Sequence, residues 1–535
     1  MTPHNKKADK VSVLDTTLRD GAQSEGVSFT QVDKIALVRQ LDRLGIDYIE
    51  GGYPGSNPKD IAFFKEAGKL KLNHAKLTAF AATRRAKYSA TEDPGLSALV
   101  KAKTPAVAIF GKTWDLHVEK VLKTDLDTNL KMIADSVRRL KRAGREVFYD
   151  AEHFFDGYRA NPDYAMKTLE AAADSGADVL VLCETNGGFI PSEVSRIVAE
   201  VAERFGGGRV GIHAHNDSGM ALANTVAAVE RGSRHIHGTV NGLGERCGNA
   251  DLCAAIPTLE LKCGFHVLGR ENLKKITETS RFLYEMLNLA PRGNQPYVGH
   301  SAFAHKGGMH VAGVQKDSRT FEHTDPESVG NTRRILISEL SGAATILAKT
   351  ERMKIDGKGP LARQILDEVA RLEDEGYHFE GAEASFELLV RRIARPYDPF
   401  FRLLHYRIIN EVVREIDETV TEATVKVRVD GSEEHRVAEG DGPVNALDAA
   451  LRKALRRFYP TITEMTLHDY RVRIVNPRAG TAAKVRVIIT SHDHDDNWAT
   501  VGVSENIIEA SWQALTDSVE YKLLKDMDAG KLKAP

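Results

Sequence analysis

The strongest constraint on the fold is a rhythm of eight short β-branched or aliphatic runs, separated by longer amphipathic stretches. They begin near Val11 (VSVLDTTL), Ile46 (IDYIEGG), Leu77 (LTAFAAT), Ala106 (AVAIFGK), Glu146 (EVFYDAE), Asp178 (DVLVLCE), Arg209 (RVGIHAH) and His235 (HIHGTVNG), at intervals of 26 to 40 residues. Each interval has room for a strand, a loop, a helix and a return loop. Eight such βα units predict a closed (β/α)8 TIM barrel, an α/β fold, over residues 11–275. The competing architecture, a doubly wound open sheet, usually has fewer strands and often a glycine-rich phosphate turn after the first. No GxGxxG follows Leu18.

A chain of 535 residues is too long for one hydrophobic core. From Glu271 to Glu415 the pattern turns mainly helical, with Leu361 to Leu372 and Ala384 to Arg395 as connecting helices, so helical linker subdomains are expected over 276–416. After Thr421, the segments TVKVRVD, YRVRIVN, AKVRVIITS and ATVGVS alternate like half-buried strands. Val444 to Phe458 and Glu505 to Leu523 read as helices. A C-terminal α+β domain of two similar halves over 417–526 is expected, and its scarcity of catalytic groups points to regulation. Within it, SHDHDDNW (Ser491 to Trp498) reads as a solvated hairpin turn rather than a metal cluster. Residues 1–10 and 527–535 read as tails.

The formal net charge of −2 argues against broad attraction to nucleic acid or an anionic membrane, and 42% apolar with 28% charged residues is ordinary for a globular enzyme. Four cysteines (Cys183, Cys247, Cys253, Cys263) without a CxxC pair fit a reducing compartment, and Met1 to Lys10 is polar, with no apolar stretch of signal-peptide length after it. A cytoplasmic enzyme of small-molecule chemistry is the expectation.

The chemistry concentrates in HAH, His213 to His215, at the end of the seventh run. Side chains two apart on a strand share a face, so both imidazoles can address one ion. In a closed barrel the first strand lies beside the eighth and the eighth beside the seventh. Asp20, after strand one, and Asn249, in the glycine-rich NGLGERCGN after strand eight, therefore belong to the same neighbourhood. Asp20, His213, His215 and Asn249 together offer two nitrogens, a carboxylate and an amide oxygen. That set leaves positions open for substrate and admits magnesium, manganese or zinc. Arg19 places a permanent positive charge where an oxyanion would form, and Glu152, after strand five, is placed for proton transfer.

Three motifs, DTTLRDGAQ (Asp15 to Gln23), GIHAHND (Gly211 to Asp217) and NGLGERCGNADL (Asn241 to Leu252), resemble the signatures of the 2-isopropylmalate synthase, homocitrate synthase and citramalate synthase family. HMG-CoA lyases share the barrel. The resemblance implies acyl transfer from acetyl-CoA to a 2-oxo acid by Claisen-type condensation, followed by thioester hydrolysis. It also implies a divalent metal on Asp20, His213 and His215 with Asn249 completing or supporting the set, Arg19 polarising the 2-oxo group, and Glu152 and Thr185 in the substrate shell. In KGGMHVAGV, His310 matches a catalytic histidine supplied by the partner protomer, which implies a homodimer. Phe321 stands where relatives often have tyrosine, while His305 and His323 read as structural or solvent-facing. EGGYPGSNPKD, DAEHFFDGY and LCETNGG resemble the branch that uses pyruvate, with isoleucine the implied effector of the C-terminal domain; 2-oxoisovalerate is the alternative acceptor. A non-catalytic amino-acid sensor on a decayed barrel is the reading from a different class, against which the complete ligand set speaks.

Overall fold

The computed structural model describes residues 9–55, 58–336, 359–413, 418–475 and 483–532. Residues 1–8 of the expected N-terminal tail therefore lie outside the described residues, as does 337–358 of the linker; the expected C-terminal tail is described to residue 532, and its first two residues belong to the helix Ile507–Asp528. The chain divides into two compact units, one running to Phe303 with His323–Arg333 added, the other comprising Ala304–Glu322 and the chain from Arg334 onward.

In the first unit the eight runs are eight parallel strands: β1 (Ser12–Asp15), β2 (Tyr48–Glu50), β3 (Lys76–Ala82), β4 (Ala106–Lys112), β5 (Glu146–Glu152), β6 (Val179–Glu184), β7 (Val210–Ala214) and β8 (His235–Gly238). They close into a barrel in sequence order, with β1 paired to β8 through Val13↔Ile236 and Leu14↔His237. Both faces of each strand are covered, which is why the runs are nearly continuously apolar rather than alternating. The barrel interior holds Leu14, Ala106, Ala108, Phe148, Val181 and Cys183. The larger core, including Leu37, Leu41, Ile133, Val137 and Leu140, fills the layer between strands and helices.

Local chemistry sets the helix ends. Thr30 and Asp33 form a reciprocal capping box ahead of the helix Gln31–Leu44, and Gly45 ends that helix with φ +94°, a conformation open to glycine. Asp125 caps the helix Leu126–Arg142 by accepting from the Thr128 amide at 2.7 Å. Among the described residues no helix is long and apolar enough to cross a membrane.

The second unit contains a two-stranded pair, β9 (Ala304–His305) with β10 (Arg334–Ile335), and the helices Pro360–Glu375 and Glu383–Ala394. Two antiparallel three-stranded sheets follow. One is β11 (Arg402–Val413), β12 (Glu418–Val429) and β13 (Ser432–Gly440), followed by the helix Pro443–Leu455. The other is β14 (Thr466–Ile474), β15 (Val485–His492) and β16 (Asn497–Ser504), followed by the helix Ile507–Asp528. Both sheets share one core, in which Val425 and Val427 join Leu447, Leu451, Val487, Trp498 and Leu515. The motif at Ser491–Trp498 is the β15–β16 hairpin. Its Asp493 anchors the buried Lys522 at 3.0 Å. Four strands go beyond the sequence reading: the short β9 and β10 and the longer β11, all inside the stretch read as mainly helical, and β13.

Candidate active site

The C-terminal ends of β1, β7 and β8 meet. Asp20 opens the short turn Gly21–Gln23, while His213 lies on β7 and His215 just beyond it. The ligand atoms of Asp20, His213 and His215 all lie within 4.8 Å of one another, and all three side chains are buried. His213 Nε2 stands 3.3 Å from His215 Nε2, and the two nitrogens are 3.7 and 3.9 Å from Asp20 Oδ2. Asn249 joins them from the β8 loop: its amide donates to Asp20 Oδ1 at 2.8 Å, and its buried Oδ1 has no hydrogen-bond partner among the described residues. Burial, with the neighbouring charge of His215, pushes the His213 imidazole down to about 3, so its lone pair is available near neutral pH. Burial alone would raise the Asp20 carboxyl; Arg19 and the two imidazoles outweigh it and hold the group below the usual carboxylate range. One carboxylate and two neutral imidazoles converging at a buried point are a donor set that fits a divalent cation.

Arg19 is fixed on three sides. It donates to Glu50 Oε2 at 2.7 Å and to Asp20 Oδ2 at 2.8 Å, and its guanidinium lies 4.1 Å from the centre of the Phe80 ring. Thr16 Oγ1 donates to the same Glu50 oxygen at 2.6 Å. Glu152, at the end of β5, is ion-paired with Lys112. Thr185 Oγ1 accepts the His153 amide at 2.9 Å, and the Thr185 carbonyl accepts from Arg246, which also grips Asp217 at 2.7 Å. These contacts tie the β5, β6, β7 and β8 loops into one rim.

A cavity of about 220 Å³ opens on this group, lined by Arg19, Asp20, Glu152, Thr185, His213 and His215 together with Gln23, Phe80, Phe110, Asp150, Cys183 and Glu245. The barrel residues singled out in the sequence thus meet at one site. Asn249 reaches it through Asp20, without lining the cavity. His310 belongs to the second unit, exposed on the helix Gly308–Lys316, where its ring stacks on Phe321 at 4.2 Å. His305 is buried and bonded to Glu322 at 3.1 Å, and His323 packs on Tyr297 and Phe303. Glu50, Asp150, Phe80 and Phe110 were not singled out. Their sequence signal is position, at or near the C-terminal end of a barrel strand, and for Glu50 and Asp150 also their place at the head of the segments EGGYPGSNPKD and DAEHFFDGY.

Gly244 shows how tightly the β8 loop must fit. Its φ is +157°, and a Cβ there would stand 2.1 Å from Asn249 Nδ2, the group that supports Asp20. Gly244→Ala is expected to displace Asn249 and cost about 1–3 kcal/mol, read as a lower denaturation midpoint in urea together with weaker Mn²⁺ binding.

The HMGL-like family model matches residues 10–283, the homocitrate synthase post-HMGL domain-like model 297–377, and the LeuA allosteric (dimerisation) domain model 380–523. The chain is 53% identical over 527 residues to an (R)-citramalate synthase of Aquifex aeolicus, covering 98% of this chain and 100% of that one. It is 53% identical over 517 residues to an (R)-citramalate synthase of Geobacter sulfurreducens, covering 96% and 98%. The chain belongs to the (R)-citramalate synthase family. A probable 2-isopropylmalate synthase of Methanopyrus kandleri is more distant, 31% identical over 512 residues, with 96% and 98% covered. Membership makes the chain one of a family of condensing acyltransferases, on a TIM barrel followed by a LeuA-type domain.

Proposed function

We propose that this chain condenses acetyl-CoA with pyruvate and hydrolyses the resulting thioester, releasing (R)-citramalate and CoA. The observation that carries the reading is the small cavity in which the Asp20–His213–His215 group and Arg19 face the paired rings of Phe80 and Phe110. A divalent ion held by Asp20, His213 and His215, with Asn249 supporting Asp20 or joining the set, supplies the Lewis acidity that polarises a ketone.

The chain's own groups do the rest. Arg19, locked by Glu50 and Phe80, offers a preorganised cation to the oxyanion that develops on the ketone oxygen. Glu152, paired with Lys112, holds or moves a proton at the cavity wall, and Thr185 offers a hydroxyl to the substrate. The methyl proton of acetyl-CoA leaves to a base assisted by His310 of the second protomer of a homodimer. The enolate carbon then bonds to the ketone carbon, and the alkoxide is protonated. The exposure of His310 and the match to a LeuA dimerisation domain support this assignment. A second cavity of about 410 Å³ shares Arg19, Gln23 and Phe80 with the first and is lined by Tyr53, Lys34 and Lys59; it suits the thioester arm. Isoleucine is the proposed effector of the LeuA-type domain, and the setting is the cytoplasm.

Phe80 and Phe110 stack at 5.3 Å with 17° between their planes, a rigid apolar wall suited to the methyl group of pyruvate. The test is a CoA-release assay with acetyl-CoA and a panel of 2-oxo acids, with and without chelator. Pyruvate is expected to be preferred and chelator to abolish release; preference for 2-oxoisovalerate would move the assignment to 2-isopropylmalate synthesis. Phe80 also supports Arg19, so Phe110→Ala is the cleaner probe of the wall. It is expected to raise kcat/KM for 2-oxoisovalerate relative to pyruvate by roughly 10- to 200-fold.

A further inference from the structure

Asp150 lies two residues before Glu152 on β5, and both line the cavity that holds Arg19, Asp20, His213 and His215. Its side chain is only 3% exposed, yet no hydrogen bond or salt bridge to a described residue engages it, and its Oδ1 is fully buried without a partner. Glu50, by comparison, is held by Arg19 and Thr16, Glu152 by Lys112, and Asp20 by Arg19 and Asn249. The nearest guanidinium, that of Arg19, is already committed to Glu50 and Asp20. Asp150 is thus the one carboxyl lining this cavity on which none of the described cations or donors is spent, and three other acidic groups, Glu50, Glu152 and Asp20, act on it electrostatically.

A carboxylate so placed would be costly to ionise, and in that state it would repel an anionic substrate. A neutral carboxylic acid in the same place carries an O–H donor facing the cavity. We propose that Asp150 is a further substrate-binding residue, a neutral acid that donates a hydrogen bond to an oxygen of the 2-oxo acid. Its ionisation points the same way: burial, and then the charge of Glu50, push the Asp150 carboxyl well above its ordinary range. Because substrate contact is made only by the protonated form, an amide of the same shape should replace it, and an aliphatic side chain should not. The inference rests on the condensation reading above.

The experiment compares Asp150→Asn and Asp150→Ala with the wild type by CoA release at pH 7, with KM measured separately for pyruvate and acetyl-CoA. Asp150→Asn is expected to keep the pyruvate KM within about threefold of wild type. Asp150→Ala is expected to raise it on the order of 10- to 100-fold with the acetyl-CoA KM unchanged, the loss expected of a direct hydrogen bond. A pyruvate KM raised tenfold or more in the Asn variant would overturn the proposal, because a charged carboxylate would then be what the site requires. An Ala variant with the wild-type KM would overturn it equally. If the Ala variant folds poorly by circular dichroism, isotherms of pyruvate on the Mn²⁺-loaded Asn variant and wild type decide the question without turnover: equal affinity supports the proposal, and affinity weakened tenfold or more overturns it. If the wild type itself releases no CoA with any 2-oxo acid, the condensation reading fails rather than the role of Asp150.

Discussion

Asp20→Asn is expected to fold, to lose its divalent ion, and to condense acetyl-CoA with pyruvate on the order of 10³-fold more slowly. The substitution keeps the shape of the side chain but removes the only negative charge among the converging ligands, leaving two neutral imidazoles and an amide. It also creates a local conflict. In the native site Arg19 donates to Oδ2 and Asn249 donates to Oδ1, so both carboxylate oxygens accept. An asparagine offers one acceptor and one NH2 group, which must then face one of those two donors. Lewis-acid stabilisation is worth several kcal/mol, and each 1.36 kcal/mol is tenfold in rate, which sets the expected loss. Metal content after dialysis against Mn²⁺, measured beside CoA release, checks both halves. An Asp20→Asn protein that retained its full ion and its rate would remove Asp20 from the centre of the site.

The barrel was legible because a strand covered on both faces must be apolar along its length, and eight such runs at βα spacing admit few topologies. The ligand group was legible for a related reason: His213 and His215 share a strand face, and closure through the β1–β8 pairing brings Asp20 and the β8 loop to them. Glu50 and Asp150 head two of the quoted segments but were not legible as site residues. A single acid at or near a strand end has no local signature, and its burial follows only from closure of the whole sheet. The strands β11 and β13 escaped for the opposite reason. Most of β11 is exposed on both faces (RLLHYRIIN), and β13 buries only Glu434 and Ala438 (SEEHRVAEG), so neither carries the apolar alternation by which a strand is recognised.

Arg19→Ala is expected to damage stability and rate together, and a second substitution separates the two. Glu50 is completely buried, and its Oε2 accepts from Arg19 and Thr16. Removing the guanidinium strands that carboxylate in the barrel beside Asp150, and breaking a buried pair from one side typically costs about 3–5 kcal/mol. On the proposed role, the same change deletes the cation facing the developing oxyanion, worth on the order of 10²- to 10³-fold in kcat. Arg19→Ala with Glu50→Gln removes the stranded charge, so the urea midpoint should recover most of its loss while kcat stays low. Arg19→Lys should fall between, since an ammonium keeps the charge but lacks the planar fork that donates to Glu50 and Asp20 at once. If kcat recovered with stability in the double variant, the guanidinium would be a scaffold for Glu50 and nothing more. If kcat stayed low in a protein as stable as wild type, the charge itself would be acting on the reacting oxygen from its place over Phe80 at the cavity wall.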